Sequence, residues 1–150
     1  MREGTRPLLA ALSFLTALPV GRGIGERDLR RGATLFPLVG AAIGGLVALV
    51  AWGAAHALPA YAAAVLAVST GLGATAALHL DGLADVADGI GATLSGSDPV
   101  DAMRDPRLGA FGVAAVALDL LLKVSVLTAL VADGFPWAVV AAGAVSRAAP

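Results

Sequence analysis

The sequence predicts an all-α protein, specifically a polytopic membrane helical bundle with about three full spans, a short first helix and a truncated last one. Hydrophobic residues make up 58% of the 150 residues and charged residues 14%, whereas soluble domains are closer to half apolar and a quarter charged. The charges are also clustered, because no Asp, Glu, Lys or Arg occurs from Gly32 to Leu80. This stretch is long enough for two bilayer crossings of about 20 residues each.

The composition excludes several classes of function. There is no cysteine, so disulfides, thiolate metal sites and cysteine nucleophiles are ruled out. The formal net charge is -1, which gives no basic excess for a nucleic-acid partner. Aromatic residues make up only 5% of the chain, so helix packing is expected to depend on Ala, Gly, Leu and Val.

The first apolar run, residues 7–20, is short for a full crossing. Arg2 and Arg6 precede it, and a basic start followed by a short apolar core is also typical of a signal peptide. Its ending, Ala17-Leu18-Pro19, is a poor cleavage site. A retained interfacial or re-entrant helix is therefore favoured over a cleaved signal.

The remaining apolar runs predict the spans. They cover residues 33–58, 60–78 and 109–132, and a last run begins at Trp137 and stops at Pro150. Because the last apolar run continues to the end of the sequence, residues 1–150 are expected to be one membrane-embedded domain and the N-terminal part of a longer protein. Gly40 and Gly44 have GxxxG spacing, which favours a close helix–helix contact within the chain over a dedicated dimer motif.

The distribution of arginine predicts the topology. Six arginines precede the first span: Arg2, Arg6, Arg22, Arg27, Arg30 and Arg31. By the positive-inside rule this side is cytoplasmic. Two crossings return the chain to the same side, so the polar segment that follows residue 78 is expected in the cytoplasm as well.

That segment carries three acids at helical spacing. Asp81, Asp85 and Asp88 stand at i, i+4 and i+7, which places them on one stripe of a helix. Like charges at this spacing repel one another, so a neutralising partner is required. Carboxylates without cysteine partners suit a hard divalent ion such as magnesium or manganese. A solvated acidic loop is the alternative, but these acids interleave with apolar residues at the end of an uncharged span.

Other polar residues nearby are candidates for substrate binding. Arg104 and Arg107 carry donors suited to phosphate oxygens, and Asp105 lies between them. The Gly-rich stretch 109–112 opens a span, whose first N–H groups favour an anion. His79 adjoins the acids and is a candidate for binding metal or substrate. For the two arginines, anchoring at a membrane surface is the alternative.

Carboxylates, a divalent ion and arginine on a cytoplasmic membrane face predict phosphoryl transfer. A metal of this kind bridges a diphosphate, and a carboxylate takes the proton of an attacking alcohol. The residues by themselves lead to this reaction class and no further.

Two motifs carry a resemblance to a known family. Residues 79–89, HLDGLADVADG, are followed by residues 103–113, MRDPRLGAFGV. Together they resemble the signature of cobalamin synthase, also called adenosylcobinamide-GDP ribazoletransferase. Residues 14–20 and 36–40 resemble the opening stretches of the same family. Pro106 departs from the pattern, since the family often has Ser there.

The resemblance implies a magnesium-dependent integral-membrane transferase in the prokaryotic cytoplasmic membrane, with residues 79–108 as its cytoplasmic acidic active-site segment. It transfers the phosphocobinamide group from adenosylcobinamide-GDP to α-ribazole or its 5′-phosphate and releases GMP. The product is adenosylcobalamin or its 5′-phosphate. Asp81, Asp85 and Asp88 are then the catalytic and metal-binding residues. The substrate-binding candidates are His79, Arg104, Asp105, Arg107 and Lys123. Family members are longer, so this chain by itself is expected to be inactive.

Two other classes of membrane protein are alternatives. A CDP-alcohol phosphotransferase also uses an Asp-bound metal, a diphosphate donor and an attacking alcohol. Its pattern, however, places Ala-Arg shortly after Asp-Gly, and here Asp85 follows Ala84. A cation or proton transporter keeps its acids within spans. Only Asp119 and Lys123 lie there, and their i, i+4 spacing favours a local ion pair over a transport or substrate role.

Overall fold

The computed structural model describes residues 5–21 and 23–148. Within these ranges the chain forms eight α-helices and one 3-10 turn, with no β-strand, so the predicted all-α class is confirmed. The helices are α1 (Arg6–Leu15), α2 (Glu26–Gly32), α3 (Phe36–Ala54), α4 (Ala60–Ala74), α5 (Leu78–Leu94), α6 (Pro99–Arg104), α7 (Ala110–Ala132) and α8 (Ala138–Val145). The expectations for Arg2, Arg22 and Pro150 concern positions outside the described residues.

In the part of the chain that the structure describes, two helices are long and apolar enough to cross a membrane. The first runs continuously from Glu26 to Ala54, through α2, the 3-10 turn at residues 33–35 and α3. The second is α7, whose 23 residues extend about 35 Å at 1.5 Å per residue. This exceeds the roughly 30 Å thickness of a bilayer core. The expected first and third spans are thus confirmed, the third within one residue of its predicted start.

The expected second span differs from the prediction. The sequence predicts a span over residues 60–78, but α4 ends at Ala74 and its 15 residues extend only about 22 Å. Helix α5 follows at a bend of 87°, and only together are α4 and α5 long and apolar enough to cross a membrane. The described residues therefore contain two helices of spanning length and one bent pair.

The cause of the bend is a Schellman ending on α4. The N–H of Ala77 donates to the carbonyl of Leu72 and the N–H of Ala76 donates to Gly73, which is the 6→1 and 5→2 pattern. Ala76 and Ala77 have φ of 48° and 55°. Glycine normally occupies such left-handed positions, since a Cβ there costs about 1–2 kcal/mol. Because neither of these positions is a glycine, the sequence does not indicate that the helix ends here.

The N-terminal helix is short, as predicted. Helix α1 has 10 residues, extends about 15 Å and packs on α2 and α3. Ala11 and Leu15 are buried against Val39 of α3. The ring of Phe14 stacks on that of Phe36 with centroids 5.5 Å apart.

The bundle is built on α3, which contacts α1, α4, α7 and α8. Its main buried cluster is made largely of small and branched residues: Val47, Ala51, Ala64, Ala67 and Leu127. Side chains of this size let helix axes approach closely, which drives association in lipid. The expected reliance on Ala, Gly, Leu and Val is confirmed.

Gly40 and Gly44 lie against α8 within the same chain. A methyl group on Gly40 would overlap the carbonyl of Gly143, and one on Gly44 would overlap the carbonyl of Val139. The GxxxG stretch is therefore a contact between α3 and α8 of one molecule, as the sequence favoured. Gly45, the next residue, has nothing within 4 Å of its Cβ position.

This difference between neighbours gives a test of the packing. We expect Gly44→Ala to lower the free energy of unfolding by about 1–3 kcal/mol, because the added methyl group must push two helices apart. Gly45→Ala should be neutral or stabilising by up to about 1 kcal/mol, since alanine is the better helix former. Thermal unfolding of both variants in detergent measures this, and equal shifts would contradict the contact.

Candidate active site

The three predicted acids all lie on α5. Asp81 is in its first turn and is exposed, whereas Asp85 and Asp88 are half-buried. A carboxylate in the first turn is favoured by the helix dipole. The predicted stripe of acids on one helix is thus present.

Asp88 makes a contact that local sequence does not indicate. Its Oδ2 accepts the N–H of Gly109 at 2.8 Å, and its Oδ1 accepts the N–H of Gly112 at 2.7 Å. These are the N-cap and third positions of α7, whose first N–H groups have no partner within the helix. The anion predicted at this helix start is the protein's own carboxylate.

The two sequence motifs pack directly against each other. A methyl group on Gly109 or Gly112 would overlap the Asp88 carboxylate. One on Gly91 would overlap the ring of Phe111. A methyl group on Gly89 would overlap the side chain of Met103. The glycines therefore leave the room that segment 103–112 occupies on α5.

Asp81 and Asp85 are in a different situation. Neither side chain makes a hydrogen bond or ion pair with any residue that the structure describes. In those same ranges, no three His, Asp or Glu side chains come together as a group able to hold a metal ion. The three carboxylates share a helix face, but they do not form one preassembled three-ligand site.

The donor set nevertheless fits a hard cation. Asp81 and Asp85 stand one helical turn apart, where Cβ atoms are about 5–6 Å from each other. Magnesium is commonly bound through one or two carboxylates, with waters and substrate phosphates completing its octahedron. Two unengaged carboxylates match this requirement, whereas both oxygens of Asp88 already accept backbone N–H groups.

The two arginines of the second motif differ in their partners. Arg107 forms a two-point contact with Asp105, with Nε 3.0 Å from Oδ1 and Nη2 2.7 Å from Oδ2. The Arg107 N–H also donates to Oδ1 at 3.0 Å. Arg104 ends α6, is exposed and makes no ion pair among the described residues. Of the two, Arg104 is the guanidinium without a carboxylate partner in the described part of the chain.

An open depression of about 350 Å³ lies between α5, α6 and the start of α7. Asp88, Asp105, Arg107 and Phe111 are among its lining residues. Its volume is at the lower end of the range for small-molecule sites. Asp81 and Asp85 do not line it, so the depression adjoins the acidic face of α5 without containing it.

The other predicted residues lie apart from this depression. Lys123 is in the middle of α7 and donates to Oδ2 of Asp119 at 2.6 Å, which confirms the local ion pair. His79 is exposed at the start of α5, within electrostatic reach of Lys123 and Arg147.

Sequence reasoning assigned no role to Arg147. Its Nε is buried and has no hydrogen-bond partner in the described part of the chain. Its side chain lies beside Gly40, and Nη1 donates to Oγ of Ser146 at 3.0 Å. The feature of the sequence that could have indicated a role is the position of this arginine within an apolar run.

Asp105 titrates well below the usual range. The hydrogen bonds from the Arg107 side chain and backbone, more than their charge attraction, lower the Asp105 pKa from 3.8 to about 2. The same contact raises the pKa of Arg107. At neutral pH the two opposite charges therefore offset each other.

The pair gives a pH prediction with a defined sign. The pKa of Asp105 is lower in the folded state than in the unfolded state. The ion pair therefore contributes fully to folding stability above about pH 3.8, and this contribution is lost as the pH falls through about 2. In Arg107→Gln the Asp105 pKa should return toward 3.8. Carboxyl-carbon NMR titration of labelled Asp measures this, and an unchanged pKa would contradict the pair.

The helices and the acidic face of α5 define a helical membrane protein with a candidate phosphoryl-transfer site. Comparison with known proteins extends this description. The sequence model of the family described as Cobalamin-5-phosphate synthase matches residues 7–150. The chain belongs to this family.

Curated relatives agree. Adenosylcobinamide-GDP ribazoletransferase of Ralstonia nicotianae is 42% identical over 98% of this chain and 59% of its own length. The protein of the same name from Ralstonia pickettii is 43% identical over 99% of this chain and 60% of its own. In Azorhizobium caulinodans the identity is 44% over 93% of this chain. The chain spans about 60% of the length of these relatives. No solved structure matches it.

Proposed function

We propose that the protein acts as an adenosylcobinamide-GDP ribazoletransferase. It would transfer the phosphocobinamide group from adenosylcobinamide-GDP to α-ribazole or its 5′-phosphate, with release of GMP. The observation that carries the proposal is the docking of the two family motifs on each other, which brings the acidic face of α5 next to segment 103–112. The names of the relatives supply the substrates.

In this proposal the ribose hydroxyl attacks the phosphorus that carries cobinamide. A new O–P bond forms, and the P–O bond to GMP breaks. One of the two carboxylates, of Asp81 or of Asp85, accepts the hydroxyl proton through an oxygen that does not hold the metal, since neither side chain has a hydrogen-bond partner among the described residues. Arg104 binds a phosphate oxygen of the donor through charge-assisted hydrogen bonds.

Magnesium is the expected cofactor, and Asp81 and Asp85 would hold it. A bound divalent ion stabilises the negative charge that develops on the transferred phosphoryl and leaving groups. The two carboxylates by themselves repel each other at i, i+4 spacing, so a cation between them also removes a cost of folding.

The site is proposed to face the cytoplasm of a prokaryotic cell, from within the cytoplasmic membrane. Supporting this, exposed Arg27, Arg30 and Arg31 lie on α2, directly before the apolar α3. A transporter function gains no support from Asp119 and Lys123, because each is the other's partner.

The activity can be tested in a chimera that preserves the length of a relative. This chain replaces the aligned region of the Ralstonia pickettii protein, and membranes are incubated with adenosylcobinamide-GDP, α-ribazole and magnesium. We expect GMP and a cobalamin as products. The unmodified relative is the positive control. Reaction with a CDP-activated lipid in place of the corrinoid would identify a CDP-alcohol phosphotransferase instead.

The metal assignment has its own test in the same chimera. Asp81→Asn and Asp85→Asn keep the shape of the side chain but remove its charge, so the magnesium concentration for half-maximal turnover should rise by about 10- to 100-fold or more. Asp133→Asn, an exposed acid at the far end of α7, is the matched control and should leave it unchanged. Normal magnesium dependence in both Asp81→Asn and Asp85→Asn would refute the assignment.

A further inference from the structure

The three acids of α5 share a stripe but not an environment. Asp88 is held by two backbone N–H groups that come from residues 21 and 24 positions further along the chain. The carboxylates of Asp81 and Asp85 accept no hydrogen bond and form no ion pair in the described ranges. The three aspartates of the motif therefore look equivalent in the sequence, but they differ in their hydrogen-bond partners in the structure.

The Asp88 contact is specific in its geometry. Each oxygen takes one N–H, at 2.7 and 2.8 Å, which are short distances typical of charge-assisted bonds. The two donors are the N-cap residue and the third residue of α7, so the carboxylate acts as the cap that α7 lacks in its own sequence. Gly109 itself supplies no side chain for this purpose.

The surroundings are shaped for this carboxylate. Methyl groups on Gly109 and Gly112 would both overlap it. One on Gly112 would also come within 3.1 Å of the Ala84 carbonyl on the preceding turn of α5. The start of α7 thus lies directly on the turn of α5 that carries Asp88, and only glycine at both positions permits this approach.

We propose that Asp88 is a positioning residue that fixes segment 103–112, with Arg104, against the metal-binding turn of α5, and that the metal is held by Asp81 and Asp85 without it. The catalytic part of this inference rests on the proposed function, whereas the structural part does not. The competing role, a third metal ligand, is an outcome of the experiment below.

The experiment uses the complete chain, purified and placed in lipid nanodiscs. The variants are Asp88→Ala and Asp88→Asn, with Asp85→Ala and Asp85→Asn as the matched pair on the same stripe. Two quantities are measured without any turnover. One is amide hydrogen exchange resolved to residues 109–113, and the other is binding of Mn²⁺, followed by electron paramagnetic resonance.

For Asp88→Ala we expect exchange at Gly109 and Gly112 to rise by about tenfold or more, because both acceptors are lost. Its Mn²⁺ affinity should stay within about threefold of the unsubstituted chain. Asp85→Ala should show the reverse, with normal exchange and at least about tenfold weaker Mn²⁺ binding. Loss of Mn²⁺ binding in Asp88→Ala, or unchanged exchange, would overturn the proposal. Circular dichroism of each variant verifies that the helices remain.

The chimera adds a readout that separates a positioning role of Asp88 from a role as a metal ligand. Asp88→Asn keeps one acceptor oxygen, so its kcat/KM should lie between those of the unsubstituted protein and Asp88→Ala, with unchanged magnesium dependence. At position 85, Asn should be as damaging as Ala, since the charge is required. Equal loss in Asp88→Asn and Asp88→Ala, together with a raised magnesium requirement, would make Asp88 a ligand.

The two proposals fail separately. If exchange and Mn²⁺ binding behave as expected but the chimera makes no cobalamin, the transferase function is wrong and the role of Asp88 in the structure remains. If the chimera is active but Asp88→Ala loses Mn²⁺, the function stands and the positioning role is wrong.

Discussion

The arrangement of the site depends on how the start of α7 is satisfied. The first N–H groups of any helix lack intrahelical partners, and they carry the positive end of its dipole. Helix α7 begins with glycines that provide no cap, so the carboxylate of Asp88 on α5 takes that role. A hydrogen bond to a charged group contributes about 1.5–3 kcal/mol. Two such bonds on one carboxylate orient α7 relative to α5 and hold the second motif on the first.

Small residues make the necessary approach possible throughout the molecule. At Gly40 and Gly44 they let the backbone of α8 reach α3, and at Gly109 and Gly112 they let α7 reach Asp88. Apolar side chains gain little by leaving lipid for a protein interface, so close van der Waals contact and hydrogen bonds provide the association. One steric requirement therefore accounts for glycines in both the core and the site.

The division among the acids has a simple electrostatic consequence. Asp88 is compensated by backbone dipoles, so it needs no cation. The carboxylates of Asp81 and Asp85 accept no hydrogen bond and form no ion pair among the described residues, and they repel each other across one helical turn. A divalent ion binds most favourably next to carboxylates that the protein itself does not neutralise. For the two arginines the difference is one of pairing, because Asp105 offsets the charge of Arg107, whereas Arg104 has no carboxylate partner among the described residues.

The sequence by itself determined the class of the protein and the features that depend on neighbouring residues. Hydropathy and helical period predicted an all-helical membrane bundle, placed the third span at 109–132 where α7 covers Ala110–Ala132, and paired Asp119 with Lys123. Each of these follows from interactions within a few turns of one helix. Only the tertiary structure decided that α4 stops at Ala74. Ala76 adopts a left-handed conformation there, and glycine, the residue that usually marks this conformation in a sequence, is absent from the position. The tertiary structure also decided that Asp88 faces α7, because a contact between groups 21 and 24 residues apart depends on where two helices meet in space, and no local pattern encodes that position.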